Sequence, residues 1–205
     1  MHHLILDTDT RRENLMDPAT GALTYPVGGV DRIERLFLRP GLENTQGTPY
    51  FLVYMWDRSI QDYTRAWTYE LTDADGKALL RRSRIEVWYE GSRTCEPILC
   101  VELPVEDGSP VRKVLADLQG NALSIPFDSI DRYHPYAKRI TIRRDGKINY
   151  LECGTFRPMS PVWFESDSFT HKLHKEHCNE PDYLACVKYG GRYRVLRTDG
   201  TLDAI

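Results

Sequence analysis

Arg139-Ile140-Thr141-Ile142-Arg143-Arg144-Asp145-Gly146-Lys147-Ile148-Asn149-Tyr150-Leu151 is the stretch whose reading decides the fold. Two runs of β-forming residues flank Asp-Gly, the pair that best tolerates the two positive φ angles of a type I′ hairpin turn. Asp75-Gly76 separates residues 67–71 from 84–89 in the same way, and Asp199-Gly200 follows residues 193–196. Further strands are expected at 3–7, 50–56 and 98–103. Residues 51–56 are apolar without alternation, which suits a strand buried on both faces, and Pro49 marks its start. The turns at 75, 145 and 199 have no fixed period, which argues against a repeat architecture.

Two segments read as helix. Ser109-Pro110 supplies a cap and a first-turn proline; Val111, Val114, Leu115 and Leu118 follow at i, i+3, i+4 and i+7, and Gly120 closes the segment. The second runs from Phe169 to Cys178, preceded by Asp167 and Ser168 and stopped by Asn179 and Pro181. Residues 31–38 fit helix or strand, and residues 41–48 read as a loop. The expected class is therefore α+β: a predominantly antiparallel, hairpin-rich sheet with two or three short helices. Residues 1–159 read as a β-rich main domain with one amphipathic helix at about 110–119. Residues 160–205 read as a small C-terminal subdomain of helix plus hairpin.

A chain of 205 residues can bury a core without disulfide or metal staples. Hydrophobic content of 41% and charged content of 28% are those of an ordinary globule, so wholesale disorder is not expected. No apolar run is long enough to span a bilayer, and the first residues lack the basic and apolar regions of a secretory signal. Five cysteines at irregular spacing make a poor disulfide framework. These features point to a cytoplasmic protein with no membrane association.

Net charge is −6 over residues 1–130 and +4 over 131–200. Within the basic part, Arg143, Arg144 and Lys147 flank one hairpin tip, and Lys188, Arg192 and Arg194 interleave with Tyr189 and Tyr193. Cations that track phosphates beside aromatics that stack on bases are the recipe for single-stranded nucleic acid. The same residues also serve to blunt sheet edges. Gly190-Gly191 reads as a tight turn rather than a phosphate cradle.

His171, His174, His177 and Cys178 fall within eight residues, with Cys153 before and Cys186 after. On a helix His171, His174 and Cys178 share a face, so Cys153, His174, Cys178 and Cys186 could form a Cys₃His zinc site. No Cys-x₂-Cys pair is present, and the two flanking cysteines fit equally well as small buried hydrophobes. Leu4-Ile5-Leu6-Asp7-Thr8-Asp9-Thr10 resembles the first motif of haloacid-dehalogenase phosphatases and the metal-binding start of nucleoside hydrolases. That resemblance covers seven residues and would imply a parallel α/β sheet. Arg11 stands where the phosphatases carry a hydroxyl, and acids closing an edge strand give the alternative.

No catalytic set with more than two members can be assembled. The expectation is a non-enzymatic macromolecular binding protein that contacts nucleic acid, or a nucleic-acid-handling complex, through its basic C-terminal third. The alternatives are a metal-dependent hydrolase or nuclease using the His/Cys cluster with Glu165, Asp167 or Glu176, and a protein-binding inhibitor or complex subunit without metal. For the last, 22 aromatic residues could supply interface anchors.

Overall fold

Val, Ile, Thr, Tyr and Phe crowd a helix but fit the pleated surface of a sheet, and they set the pattern here. The computed structural model describes residues 1–26, 28–36, 50–62, 66–89, 97–104, 109–134 and 139–203. The strands are β1 (His3–Asp7), β2 (Arg12–Met16), β3 (Arg32–Leu36), β4 (Tyr50–Trp56), β5 (Trp67–Thr72), β6 (Ala78–Arg82), β7 (Ile85–Tyr89) and β8 (Pro97–Glu102). They continue with β9 (Lys113–Ala116), β10 (Ser129–His134), β11 (Arg139–Arg144), β12 (Lys147–Glu152), β13 (Ser166–Asp167), β14 (Tyr183–Tyr189) and β15 (Arg192–Arg197). Among the described residues the one helix is α1 (Lys172–His177). The sheets are β1-β2, β3-β4-β5-β6, β7-β8-β9, β10-β11-β12 and β13-β14-β15.

Among the described residues half are strand and about 4% are helix, which overturns the α+β expectation with two or three helices. The expected helix at 110–119 is β9 and the turn after it. Val114, Leu115 and Ala116 are buried consecutively, as in a strand covered on both faces, while Val111 is 48% exposed. Asp117 then stops the strand: its Oδ1 accepts the N–H groups of Gln119 and Asn121 at 2.9 and 2.8 Å. A helical spacing of four apolar residues lost to a turn-forming acid. The second helix forms but is short; His171 caps it, its Nδ1 accepting the Leu173 N–H at 3.2 Å.

The segment left open at 31–38 contains β3, with Ile33 and Leu36 turned into the core. Asp145 (φ 51°) and Gly146 (φ 75°) form the expected type I′ turn. Asp75-Gly76 behaves differently. Asp73 Oδ1 accepts from Asp75 and Lys77 N–H, and only Gly76 has positive φ, so β5 pairs with β6 while β7 belongs to another sheet. The loop at 41–48 lies outside the described residues. In place of the parallel pairing implied by the resemblance at Leu4–Thr10, β1 pairs antiparallel with β2, and Asp7 Oδ1 caps the turn by accepting Asp9 N–H at 2.9 Å.

Although the Asp-Gly turns lack a period, one connection recurs. A strand ends at a turn, the chain folds back to pair with that strand twice, and then it enters the next sheet. The pairs are Met16↔Leu23 and Glu13↔Val30 after β2, Ala116↔Ala122 and Lys113↔Phe127 around β9, and Leu151↔Pro158 and Ile148↔Phe164 after β12. Hairpin connections of unequal length between these points hide the recurrence from a fixed-period reading.

The chain divides into two compact units, 1–104 with 115–122, and 105–114 with 123–205. In the first, Leu15, Tyr25, Val30, Ile33, Phe51 and Val53 form a core. In the second, Ile148, Tyr150, Phe164, Leu184, Val187 and Leu196 do so, which places residues 160–205 in one unit with 123–159.

Candidate functional site

Each recurrent connection delivers one acid to the tip of the next hairpin. Asp31 follows Val30; its N–H donates to Tyr54 O at 3.1 Å and its Oδ2 accepts the Trp56 N–H at 2.7 Å. Asp128 follows Phe127; its N–H donates to Arg143 O and its Oδ2 accepts the Asp145 N–H, both at 2.7 Å. Glu165 follows Phe164; its N–H donates to Lys188 O at 2.9 Å and its Oε1 accepts the Gly191 N–H at 2.8 Å. A cation completes each latch: Arg12 on Asp31 at 3.1 Å, Arg112 on Asp128, and Lys188 on Glu165 at 3.5 Å. The Gly191 N–H, followed by the charge of Lys188, holds the Glu165 carboxyl below the usual carboxylate range.

The six residues expected to contact nucleic acid fall into this framework. Arg143 grips Asp131 with Nε and Nη2 and donates to Gly146 O at 3.1 Å. Arg144 meets Asp145 at 3.5 Å, and Lys188 serves the Glu165 latch. Lys147 is exposed at the start of β12, and its charge also favours ionised Glu165. Arg194 is half-buried and donates to Asp203 O at 3.4 Å. Arg192 is exposed, with no carboxylate among the described residues within ion-pair distance. Acids thus alternate with cations around both hairpin tips.

The four expected zinc ligands are not gathered; among the described residues no three His, Cys, Asp or Glu side chains group in a way that could hold a metal. Cys186 is buried in β14, and burial raises its thiol pKa. Cys178 is exposed at the end of α1 and Cys153 is half-buried after β12. The histidines serve local structure. His171 Nδ1 caps α1, His174 Nδ1 lies 2.7 Å from Tyr183 OH, and His177 Nδ1 lies 2.7 Å from Glu180 Oε1. Burial, ahead of the nearby Cys186, pushes the Tyr183 phenol up to about 12.

What these contacts assemble is a ridge of rings. Phe169 is 40% exposed; the Arg132 guanidinium lies 5.4 Å from its ring centre, and His174 meets it edge-on at 5.5 Å. Beside it His171 stacks on Tyr193, with ring centres 4.3 Å apart and planes 27° from parallel. No family model, curated protein or solved structure matches the chain.

Beneath the ridge lies a polar layer that sequence reasoning missed. Arg139 is 5% exposed, with its guanidinium 5.0 Å from the Tyr150 ring centre. Tyr150 OH donates to Asp167 Oδ2 at 3.2 Å, and burial followed by the Asp167 charge pushes that phenol upward. The alternation Arg139, Thr141, Arg143 against Ile140, Ile142 reads as one wet and one dry face, yet β11 is buried on both faces from Arg139 to Ile142. Phe169 lies off the His171/His174/Cys178 face and reads from the sequence as a core residue, yet it is 40% exposed.

Proposed function

We propose that this chain is a non-enzymatic protein-binding module whose contact surface is the ring-rich ridge of Phe169, His171, His174 and Tyr193 with Arg132. Exposed Phe169, framed by a guanidinium and flanked by a stacked His–Tyr pair, is the observation that carries the reading. Aromatic residues and Arg are enriched at interfaces, the rings because they bury large area with few rotatable bonds and Arg because its planar fork both stacks and donates. A protein partner is favoured over nucleic acid because phosphates need unpaired cations. Here Arg143, Arg144 and Lys188 already face Asp131, Asp145 and Glu165.

The test is affinity capture from the native host with wild-type protein and a Phe169→Ala/Tyr193→Ala variant, with circular dichroism confirming that both fold. A defined protein partner recovered by wild type and lost by the variant is expected. Stoichiometric nucleic acid in the eluate, or a partner retained by the variant, overturns the proposal. One equivalent of zinc in untagged protein, with an exchangeable water ligand in the cobalt-substituted form, would instead favour the hydrolase alternative.

A further inference from the structure

The ridge stands beside two guanidiniums that have no acid of their own. The β10–β11 register shifts between Ile130 and Arg132, which sets Arg132 across from Thr141, and Thr141 is in turn across from Tyr150. Unbroken pairing from Ile130↔Ile142 would have put Arg132 opposite Ile140, on the other face; a bulge of this kind re-aims a side chain. Arg139 lies two residues before Thr141, so it shares that face and is the diagonal neighbour of Arg132, about 7–8 Å away by sheet geometry. Arg139 is 5% exposed and rests on the Tyr150 ring, while Arg132 is exposed and rests on Phe169. Among the described residues neither meets a carboxylate within ion-pair distance. The neighbouring acids are engaged elsewhere: Asp131 by Arg143, Asp167 by the Tyr150 hydroxyl, and Glu152, across from Arg139, by the Thr155 hydroxyl. Arg139 Nε and Thr141 Oγ1 are both buried without a hydrogen-bond partner.

A guanidinium keeps its charge at every accessible pH, so a buried one needs an acceptor. The Tyr150 ring compensates part of the charge of Arg139 but offers nothing to the Nε–H. Two like charges on one face, with an unbonded hydroxyl between them, make a receptacle for an anion, and the planar fork of Arg matches a carboxylate. Of the guanidinium nitrogens of Arg139 only Nε is both shut from solvent and unbonded, so the terminal nitrogens are the ones an incoming oxygen meets. Phe169 lies against Arg132, which ties the receptacle to the ridge. We propose that the partner docks through a segment that is acidic and apolar together. An Asp or Glu side chain is received by Arg132 and Arg139, and a large apolar side chain next to it covers Phe169. The inference rests on the ridge reading and gives its protein partner a chemistry.

Random short peptides displayed on phage and panned on the full chain supply the probe. Enriched sequences should carry Asp or Glu within a residue or two of Phe, Trp, Leu or Met. For one synthesised member, replacing the acid by its amide, or Arg132→Gln in the protein, should each weaken binding about tenfold or more. The two changes together should cost little more than either alone, because they remove the same contact. Arg132→Glu should abolish binding, and a peptide with Lys in place of the acid should restore it. Arg132 is exposed, so these variants keep the fold, with circular dichroism as the check. Arg139 is buried and is followed without substitution: its Nε–H resonance should shift with the acidic peptide and stay in place with the amide form. Three results would each overturn this inference and leave the ridge standing. They are peptides that lose affinity in Phe169→Ala/Tyr193→Ala yet carry no acid, a phosphoserine form that binds tighter than the Asp or Glu form, and an Arg139 resonance that stays in place. Enriched peptides indifferent to Phe169→Ala/Tyr193→Ala, or no enriched peptide at all, would overturn both.

Discussion

Removing the Glu70 carboxylate should destabilise the first unit by about 3 kcal/mol, and the structure says which part of that loss can be recovered. Glu70 is 4% exposed on β5. Its Oε1 accepts from Tyr25 OH at 2.9 Å, and its Oε2 accepts from Arg81 Nε at 2.8 Å and from Arg81 Nη2. Breaking a buried pair typically costs about 3–5 kcal/mol because a charge is stranded. Here the Arg81 side chain is 62% exposed and can turn to water, so the low end applies. Burial, then the Glu70 charge, pushes the Tyr25 phenol far above its ordinary pKa, so it remains a donor throughout the accessible pH range. In Glu70→Ala that hydroxyl loses its carboxylate acceptor and keeps only the Thr72 side chain beside it, at a cost of about 1 kcal/mol. Tyr25→Phe alone should therefore cost about 1–2 kcal/mol by depriving Glu70 of a donor, but in the Glu70→Ala background it should be neutral or stabilising. Glu70→Gln, which keeps an acceptor in place, should cost about 1 kcal/mol. Urea denaturation of the four proteins in the cycle measures the coupling. Equal costs of Tyr25→Phe in both backgrounds would refute the reasoning.

Asp128→Ala should accelerate amide hydrogen exchange at Asp145 about tenfold or more while distant amides keep their rates, since Oδ2 is the acceptor of that N–H; unchanged exchange at Asp145 counts against the latch. Gly29→Ala should destabilise far more than Gly146→Ala in thermal unfolding. Both have positive φ, but a Cβ on Gly29 would sit 2.4 Å from the backbone oxygen of Glu13, whereas one on Gly146 meets nothing within 4 Å and carries only the left-handed strain of about 1 kcal/mol. Acid sensitivity should centre on Arg197, whose contacts hold Glu180 and Asp203 below the usual carboxylate range. Because folded-state values are depressed, this stability is present above the ordinary carboxylate pKa and lost as pH falls through the folded values. Carboxyl NMR titration of Arg197→Met should show both groups moving up, and titrations that stay put would rule out Arg197 as the cause.

The hairpin at Asp145-Gly146 was legible because everything that determines it is local: a dipeptide with positive φ and two β-forming runs. The strands at 3–7 and 50–56 were legible for the same reason. Val111, Val114, Leu115 and Leu118 misled because apolar spacing is shared by a helix face and by a short strand buried on both sides. What decided between them was the Lys113↔Phe127 bridge, a contact across fourteen residues of sequence. The recurrence did leave a trace. Asp17 and Ala22-Leu23-Thr24-Tyr25-Pro26 are echoed by Asp117 and Ala122-Leu123-Ser124-Ile125-Pro126. It is not legible from the Asp-Gly pairs, since only the pair at 145–146 is a hairpin turn with both φ angles positive; Gly76 and Gly200 close turns begun by earlier residues. The ridge was half legible: its histidines drew attention as ligands, yet their Nδ1 atoms are engaged by a helix cap, a tyrosine and a glutamate.

The latches also account for one cation of the +4 segment 131–200, Lys188. Each connection brings an acid to a hairpin tip because the tip N–H needs an acceptor, and a carboxylate accepts more strongly than a carbonyl. A carboxylate held there in turn favours a cation beside it, which Lys188 supplies for Glu165 and Arg112 for Asp128. These two cations are thus part of how successive hairpins are joined. Repeated units of this kind depend on their neighbours for stability, and the units at the ends must either be capped or find a neighbour elsewhere. The last hairpin caps itself: after the Asp199 turn the chain pairs Leu202 with Leu196, and Asp203 binds Arg197 at 2.5 Å.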